Sequence, residues 1–332
     1  MKLLNGKELA DYIKQRQAGE VRALRQAHKV FPKLAIVQCK DDPIINTYVR
    51  LKKKYGAEIL IDVDVYNISQ QEIAKNLQSL NEDKTVHGII VQLPLADTSQ
   101  TDAIVNMVSP EKDVDALGDP EAPWPSHLSA PQGADEQQTE SYMKYGEGLA
   151  ESATQRSAKT AGSADSSAGR QASGVRGSWF EPATPMAIQW LLAGYNVDLQ
   201  GKKVLLVGRG KLVGAPLEKI LTESGIDVTI AERGTESLNT LSKEADIIIT
   251  ATGSPAIIYS DMVKQGAVVV DAGVASEDGK TVGDVAPDVY ERDDLTITPT
   301  RGGVGPLTVC ALFDNVIRAA RRTIEQDGEK DN

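Results

Sequence analysis

Short aliphatic runs alternate with amphipathic segments along most of this 332-residue chain. In the first third, the runs "KLAIVQC" (33–39), "AEILIDVDVY" (57–66) and "VHGIIVQLPL" (86–95) predict strands. Segments with the helical spacing of apolar residues separate these runs. Strands that alternate with helices form parallel sheets, because each crossover helix packs back on the sheet. The pattern therefore predicts an α/β fold.

The same alternation returns in the second half of the chain. Helices are predicted at 184–196 and 305–326, and strands at 202–207, 227–233, 245–255, 267–274 and 295–300. A chain of this length is long enough for two domains of ordinary size. We therefore expect two α/β units in one chain.

Residues 119–179 interrupt the alternation. Between 151 and 178, 17 of 28 residues are Ser, Ala or Gly, and Val175 is the only large aliphatic side chain. Such a segment cannot bury enough apolar surface to offset the entropy lost on ordering. We predict a disordered insertion at 119–179.

Charge and hydropathy exclude several classes of function. The formal net charge is -11, from 47 acidic and 36 basic residues, which argues against a nucleic-acid binder. No run of about 18 apolar residues predicts a membrane span. The charged N-terminus "MKLLNGKELADYIKQ" does not resemble a signal peptide, so a cytoplasmic protein is expected. Three histidines and two cysteines lack the spacing of metal ligands, and no metal site is predicted.

A glycine-rich turn, "VLLVGRGKLVG", follows a predicted strand and opens a predicted helix. Gly208 would permit the tight turn, and Gly210 would let the backbone approach a pyrophosphate at the helix N-terminus. Gly214 stands one residue later than in the usual G-x-G-x-x-G pattern. The turn indicates dinucleotide binding, and the alternative is a strand–helix turn that binds nothing.

The choice between the two nicotinamide dinucleotides stays open. Glu232 follows the next predicted strand and would accept a hydrogen bond from the ribose 2′-hydroxyl of NAD. Arg233 comes directly after it, and Arg209 lies in the glycine turn. Either arginine would pair with the 2′-phosphate of NADP.

The stretch "TYVRLKKK" places Tyr48 and Lys52 four residues apart, and therefore on one face of a helix. Taken alone, the pair is best interpreted as an aromatic residue beside a solvated lysine. Other segments of the chain change that interpretation.

Five segments together resemble the bifunctional methylenetetrahydrofolate dehydrogenase/cyclohydrolase family. They are "TYVRLK", "VQLPL", "EKDVDA", "VGRGKLVGAP" and "TPTRGGVGPLT", and the resemblance covers nearly all of 1–118 and 180–325. It implies two α/β domains with a folate cleft between them. The folate-binding catalytic domain would comprise 1–118 and 305–328, and a Rossmann-like NAD(P)-binding domain would comprise 180–304.

The resemblance also implies the activity and the partners. Members oxidise 5,10-methylenetetrahydrofolate to the methenyl form with NADP, and NAD is the alternative cofactor here. They then hydrolyse the methenyl ring to 10-formyltetrahydrofolate, and they usually form homodimers. The implied partners are a tetrahydrofolate-type substrate and a second copy of the chain.

The matching positions imply site residues. Lys52 would be the catalytic lysine, Gln92 would orient it, and Tyr48 would pack on the folate. The other substrate-binding positions implied are Val91, Leu93, Asp115, Gly302, Gly303 and Gly305. The cofactor-binding positions implied are Gly208, Arg209, Gly210, Gly214, Arg233 and Val274.

Several residues depart from the family pattern. Ala116 and Arg301 replace a glycine and a proline, Gly210 replaces a common serine, and Glu232–Arg233 replaces a histidine–serine pair. The alternative functions are a protein with only one of the two activities, or a catalytically silent folate- or nucleotide-binding protein. Another two-domain dehydrogenase, such as a shikimate-type enzyme, is disfavoured by "VQLPL" and "GGVG".

Overall fold

The computed structural model describes residues 1–120, 179–277 and 280–330. Two parallel sheets, each accompanied by helices, confirm the predicted α/β fold. The predicted insertion at 119–179 lies outside the described residues except at its ends.

The first sheet is formed by β2 (Lys33–Gln38), β3 (Asp62–Asn67) and β4 (Gly88–Val91). Strand β2 lies in the centre and pairs in parallel with both neighbours. Alternate residues of β2 enter two different apolar clusters, one shared with the helix α3 (Ile73–Glu82) and one shared with the helices α1 (Gly6–Ala27) and α2 (Pro43–Glu58). Both faces of the central strand are therefore covered, as the continuous aliphatic run predicts.

The strand predicted at 57–66 begins later than expected. Helix α2 continues to Glu58, a turn follows in which Leu60 has a φ of 65°, and β3 starts at Asp62. Ile59 and Ile61 in this turn are buried in the core. Their aliphatic side chains extend the apolar pattern that predicts a strand, although in the structure they anchor a turn.

The second sheet contains six parallel strands in the order β1-β11-β8-β7-β5-β6. Its strands are β1 (Lys2–Leu3), β5 (Val204–Val207), β6 (Val228–Ala231), β7 (Ile247–Thr250), β8 (Val268–Asp271) and β11 (Thr296–Ile297). The helices α5 (Ala183–Gly194), α6 (Gly214–Glu223) and α7 (Leu238–Glu244) and the antiparallel pair of β9 (Ala275–Glu277) and β10 (Lys280–Val282) complete this part of the chain. The short helix α4 (Thr101–Val105) packs instead in the apolar cluster of the first sheet. The carboxyl ends of the parallel strands share one edge, where ligands of such sheets bind.

The chain crosses between the two sheets at both of its ends. Strand β1 pairs with β11 in the second sheet, immediately before α1 enters the first unit. The last helix, α8 (Val304–Lys330), leaves the second sheet and packs on α1, α5 and the first sheet. The sequence did not predict β1, because two residues carry no periodicity.

Helix α8 also holds the two segments that flank residues 121–178. The buried Asn315 amide donates hydrogen bonds to the carbonyls of Val114 and Glu181, each at 2.9 Å. A polar side chain in the core therefore fixes the loop that carries Asp115 relative to the start of α5.

Helix α2 packs tightly against its neighbours at Gly56. A Cβ at this position would lie 2.5 Å from Val63 Cγ2, 2.9 Å from the Ile61 carbonyl oxygen and 3.2 Å from Phe313. Gly56 lies four residues after Lys52, on the same helical face. The face of α2 that carries Lys52 is thus seated directly against β3 and α8.

Two glycine-to-alanine substitutions should have opposite effects on stability. An alanine stabilises a helix by about 1 kcal/mol relative to glycine. At Gly19 in α1, no atom lies within 4 Å of the added Cβ, so Gly19→Ala should raise the free energy of unfolding by about 0.5–1 kcal/mol. At Gly56 the clash includes backbone, and overpacking costs about 1–3 kcal/mol, so Gly56→Ala should lower it. Urea unfolding measures both, and equal stabilisation would contradict the close packing of α2.

Candidate active site

Helix α2 carries Tyr48 and Lys52 on one face. Pro43 opens the helix, and the Asp42 carboxylate accepts a hydrogen bond from the Ile45 N–H at 3.3 Å. This is the proline-and-acid arrangement that favours a helix start. Tyr48 is 37 % exposed, whereas Lys52 is partly buried.

The end of β4 brings Gln92 to Lys52. The Gln92 backbone N–H donates to the Val37 carbonyl at 2.9 Å and so extends the strand pairing by one residue. Its side-chain Oε1 accepts from Lys52 Nζ at 2.9 Å, and its Nε2 donates to the Leu93 carbonyl at 3.1 Å. The second bond fixes which end of the amide faces the lysine. Val91 is buried at the end of the strand.

Burial controls the charge of the lysine. Desolvation lowers the pKa of Lys52, and the nearby carboxylate of Asp115 opposes that shift. Desolvation likewise raises the pKa of Asp115, and Lys52 opposes it. The pair shares one poorly solvated site, where an amine with a lowered pKa can exchange protons closer to neutrality.

The loop that carries Asp115 is anchored by Lys112, which the sequence analysis did not single out. Lys112 Nζ donates to the carbonyls of Leu80, Asn81 and Asp83 at 2.9, 2.7 and 2.7 Å. These carbonyls lie at the C-terminal end of α3, where a cation is favourable. No local sequence pattern predicts this contact, because the partners lie about 30 residues away in the chain.

Asp113 closes the same loop from the other side. Its carboxylate accepts from the backbone N–H groups of Leu117 and Gly118 at 3.3 and 3.0 Å. Within this turn, Ala116 adopts a φ of 52°, a conformation in which glycine carries less strain. This position is one at which the chain departs from the family pattern, and the backbone keeps the left-handed turn regardless.

The glycine loop of 302–305 lies against the start of α1. The Lys7 N–H donates to the Gly302 carbonyl at 2.8 Å, and the Gly303 backbone contacts Gly6 so closely that no Cβ would fit there. A Cβ at Gly305 would meet no atom within 4 Å. The loop is therefore fixed on one side and open on the Gly305 side.

The glycine turn after β5 has two sterically required glycines. Gly208 has a φ of 99°, and a Cβ on it would lie 2.7 Å from the Ala251 carbonyl oxygen. A Cβ on Gly214 would lie 2.0 Å from the Gly208 carbonyl oxygen. Gly210 has open space around its Cβ position, so the turn leaves room for a pyrophosphate to approach its backbone.

Two aspartates that were not predicted from the sequence, the buried Asp284 and the half-buried Asp271, hold the loops around Val274. Asp284 accepts from the backbone N–H groups of Thr252 and Ser254 at 2.7 and 3.1 Å. Asp271 accepts from the Gly273 N–H at 2.9 Å. Val274 itself is 55 % exposed. In the sequence, each acid has a glycine within two residues, in "DAG" and "GDV".

The two units meet beside the site. Lys211 of the glycine turn donates to the Asp102 carboxylate of α4 at 2.5 Å. Asp102 follows β4 in the chain, and Lys211 follows β5. The carboxyl edges of the two sheets therefore face each other. Lys52, Gln92 and Asp115 lie on one side, and the glycine turn lies on the other.

Comparison with known proteins shows a family match across most of the chain. The profile of the tetrahydrofolate dehydrogenase/cyclohydrolase catalytic domain matches residues 4–115. The profile of the NAD(P)-binding domain of the same family matches residues 182–324.

Relatives with similar sequences and structures agree with these profiles. The chain is 33 % identical to the bifunctional protein FolD of Lactobacillus helveticus, over 97 % of this chain and 98 % of the relative. The crystal structure of the bifunctional FolD dehydrogenase/cyclohydrolase of Campylobacter jejuni has a TM-score of 0.75 at 31 % identity, covering 97 % of this chain and 99 % of that one. The FolD structure from Trypanosoma brucei, complexed with NADP cofactor and inhibitor, also has a TM-score of 0.75, at 27 % identity, and covers 97 % and 98 % of the two chains.

The anchoring of the Asp115 loop can be tested through Lys112. Lys112→Met keeps the apolar stem but removes the donor to three carbonyls, so the free energy of unfolding should fall by about 2 kcal/mol. The matched control is Lys84→Met, an exposed lysine in the turn after α3, whose effect should stay within about 0.5 kcal/mol. Urea unfolding followed by circular dichroism compares the two variants. Equal values would show that Lys112 anchors nothing.

Proposed function

This chain belongs to the tetrahydrofolate dehydrogenase/cyclohydrolase family, and we propose that Lys52, Gln92 and Asp115 form its catalytic and folate-binding centre. The protein oxidises 5,10-methylenetetrahydrofolate to the 5,10-methenyl form with NAD(P)+ and hydrolyses that product to 10-formyltetrahydrofolate. The observation that carries the proposal is the hydrogen bond from Lys52 Nζ to Gln92 Oε1 in a desolvated site.

Lys52 supplies the proton transfers of the hydrolysis. Its neutral amine takes a proton from water as the water oxygen bonds to the methenyl carbon. The resulting ammonium then protonates N5 as the bond between that carbon and N5 breaks, and the amine regains the proton of the new hydroxyl. One proton is released overall. The lowered pKa of Lys52 makes the neutral amine available for the first step.

Gln92 and Asp115 orient the reacting groups. Because the Gln92 Nε2 is held by the Leu93 carbonyl, its Oε1 stays directed at Lys52. Asp115 accepts hydrogen bonds from the amino edge of the pterin, and Tyr48 packs on the ring from α2. The backbone of Val91 to Leu93 and the glycines at 302, 303 and 305 border the folate.

The second unit offers a fitting place for the dinucleotide. The turn through Gly208, Gly210 and Gly214 opens α6 and has free space at Gly210. When bound there, NAD(P)+ supplies the acceptor for the hydride that leaves the methylene carbon. The loops held by Asp284 and Asp271 present Val274 toward the same carboxyl edge of the sheet.

We assign the two roles to two domains. Residues 1–118 and 305–328 form the folate-binding catalytic domain, and residues 180–304 form the NAD(P)-binding domain. Packing supports placing α8 with the first domain, since the rings of Phe313 and Tyr55 lie 5.1 Å apart. Strand β1 is the segment of the first domain that crosses to pair with the second sheet.

We further propose that the enzyme works as a homodimer in the cytoplasm. Both of its cysteines are free thiols, Cys39 and Cys310, which suits a reducing compartment. Within the described ranges, no helix is both long and apolar enough to cross a membrane. The net charge of -11 favours a small-molecule substrate over a nucleic acid.

Removing the Lys52 amine should slow the hydrolysis of the methenyl ring. Lys52→Met keeps a chain of similar length, so the protein should fold, whereas methenyl hydrolysis should fall by about 10²–10⁴-fold, the usual contribution of a positioned acid–base group. Both reactions are followed from purified methylene- and methenyltetrahydrofolate.

The matched control is Lys53→Met, because Lys53 is the next residue of α2 and is exposed. Its hydrolysis rate should remain within about twofold of the unmodified enzyme, as expected for a solvated surface lysine. Near-normal hydrolysis by folded Lys52→Met would rule out the proposed role of that lysine.

A further inference from the structure

Arg209, Glu218 and Glu232 lie close together beside the glycine turn. This is the position expected for the adenosine ribose of a bound dinucleotide. In a βαβ unit that position is at the end of the second strand, beside the glycine turn. Here the Gly208 N–H donates to the carbonyl of Ala231, the last residue of β6, at 2.8 Å. Glu232 follows directly, and its carboxylate lies 4.0 Å from Arg209 Nε.

Arg209 is held by a second acid. Its Nε donates to Glu218 of α6 at 2.5 Å, and these two carboxylates raise the pKa of the guanidinium. The other cation of the glycine turn, Lys211, is paired with Asp102. Both cations of the turn are thus already paired with acids of this chain. Arg233 is exposed beyond Glu232.

We infer that Glu218 and Glu232 make the enzyme prefer NAD+ over NADP+, a conclusion that rests on its proposed use of a nicotinamide dinucleotide. A 2′-phosphate would have to share the Arg209 guanidinium with Glu218, which already holds its Nε, and would lie beside the like charge of Glu232. Such repulsion is a common means of rejecting the wrong partner. An uncharged 2′-hydroxyl would instead donate a hydrogen bond to Glu232 and leave the Arg209–Glu218 pair intact.

The two acids have different roles in this discrimination. Glu232 contacts the ribose and distinguishes a hydroxyl from a phosphate directly. Glu218 acts through Arg209, because its carboxylate already pairs with the guanidinium charge that would otherwise attract a phosphate. Removing either acid should therefore strengthen NADP+ binding, but only the removal of Glu232 should also weaken NAD+ binding.

Calorimetric titration of the full-length protein with NAD+ and with NADP+ tests this inference. The Kd for NAD+ should be at least about tenfold lower than that for NADP+, as like-charge rejection requires. Glu232→Gln should lower the Kd for NADP+ and raise that for NAD+, Glu218→Gln should lower only the Kd for NADP+, and the double variant should bind NADP+ more tightly than NAD+. Ratios of kcat/KM should follow the same order.

Glu223→Gln provides the matched control. Glu223 is an exposed acid on the same helix α6, and it pairs with Lys219. This substitution should leave the ratio of the two Kd values unchanged, although it alters the net charge equally. Tighter binding of NADP+ by the unmodified protein would overturn the inference while leaving the dehydrogenase assignment intact. Binding of neither dinucleotide would overturn both.

Discussion

The proposed proton transfers depend on one physical constraint, which is the burial of the Lys52 amine. A lysine in water stays charged at neutral pH, and a charged lysine cannot accept a proton. The helix α2 places this amine against Gln92 and within the field of Asp115, and burial lowers its pKa. The oriented amide keeps a partner for the amine in either charge state. Burial favours the neutral amine, and the carboxylate of Asp115 favours the ammonium.

The packing of the first unit serves to hold that amine in place. Helix α2 rests at Gly56 against the side chains of Val63 in β3 and Phe313 in α8, and the absence of a side chain on Gly56 permits this close approach. Helix α8 fixes the Asp115 loop through Asn315, and Lys112 fixes it from the end of α3. Three different elements therefore converge on one pair of charges. The same α8 continues from the glycine loop that follows the second sheet, and it therefore joins the two units.

Periodicity and motif order predicted most of the architecture, and long-range contacts account for what they missed. Buried strands such as β4 and β7 are recognised in the sequence as aliphatic runs. The same signal misplaced the start of β3, because Ile59 and Ile61 are buried in a turn. Lys112 and Asp284 were not predicted as site-building residues, since the backbone groups that each one binds are distant in sequence. The Arg209–Glu218 pair was equally hidden, although it determines how the arginine in the turn can be used.

The most direct test of the account is the pKa of Lys52 itself. Lysines of the purified protein are reductively methylated with ¹³C-formaldehyde, the Lys52 resonance is assigned by its loss in Lys52→Arg, and its chemical shift is followed against pH. The account predicts a midpoint clearly below about 10.4, the ordinary value for lysine. It also predicts a still lower midpoint in Asp115→Asn, because the carboxylate that favours the ammonium is then gone. A midpoint at or above the ordinary value would show a solvated or fully ion-paired lysine and would contradict the proposed proton transfers.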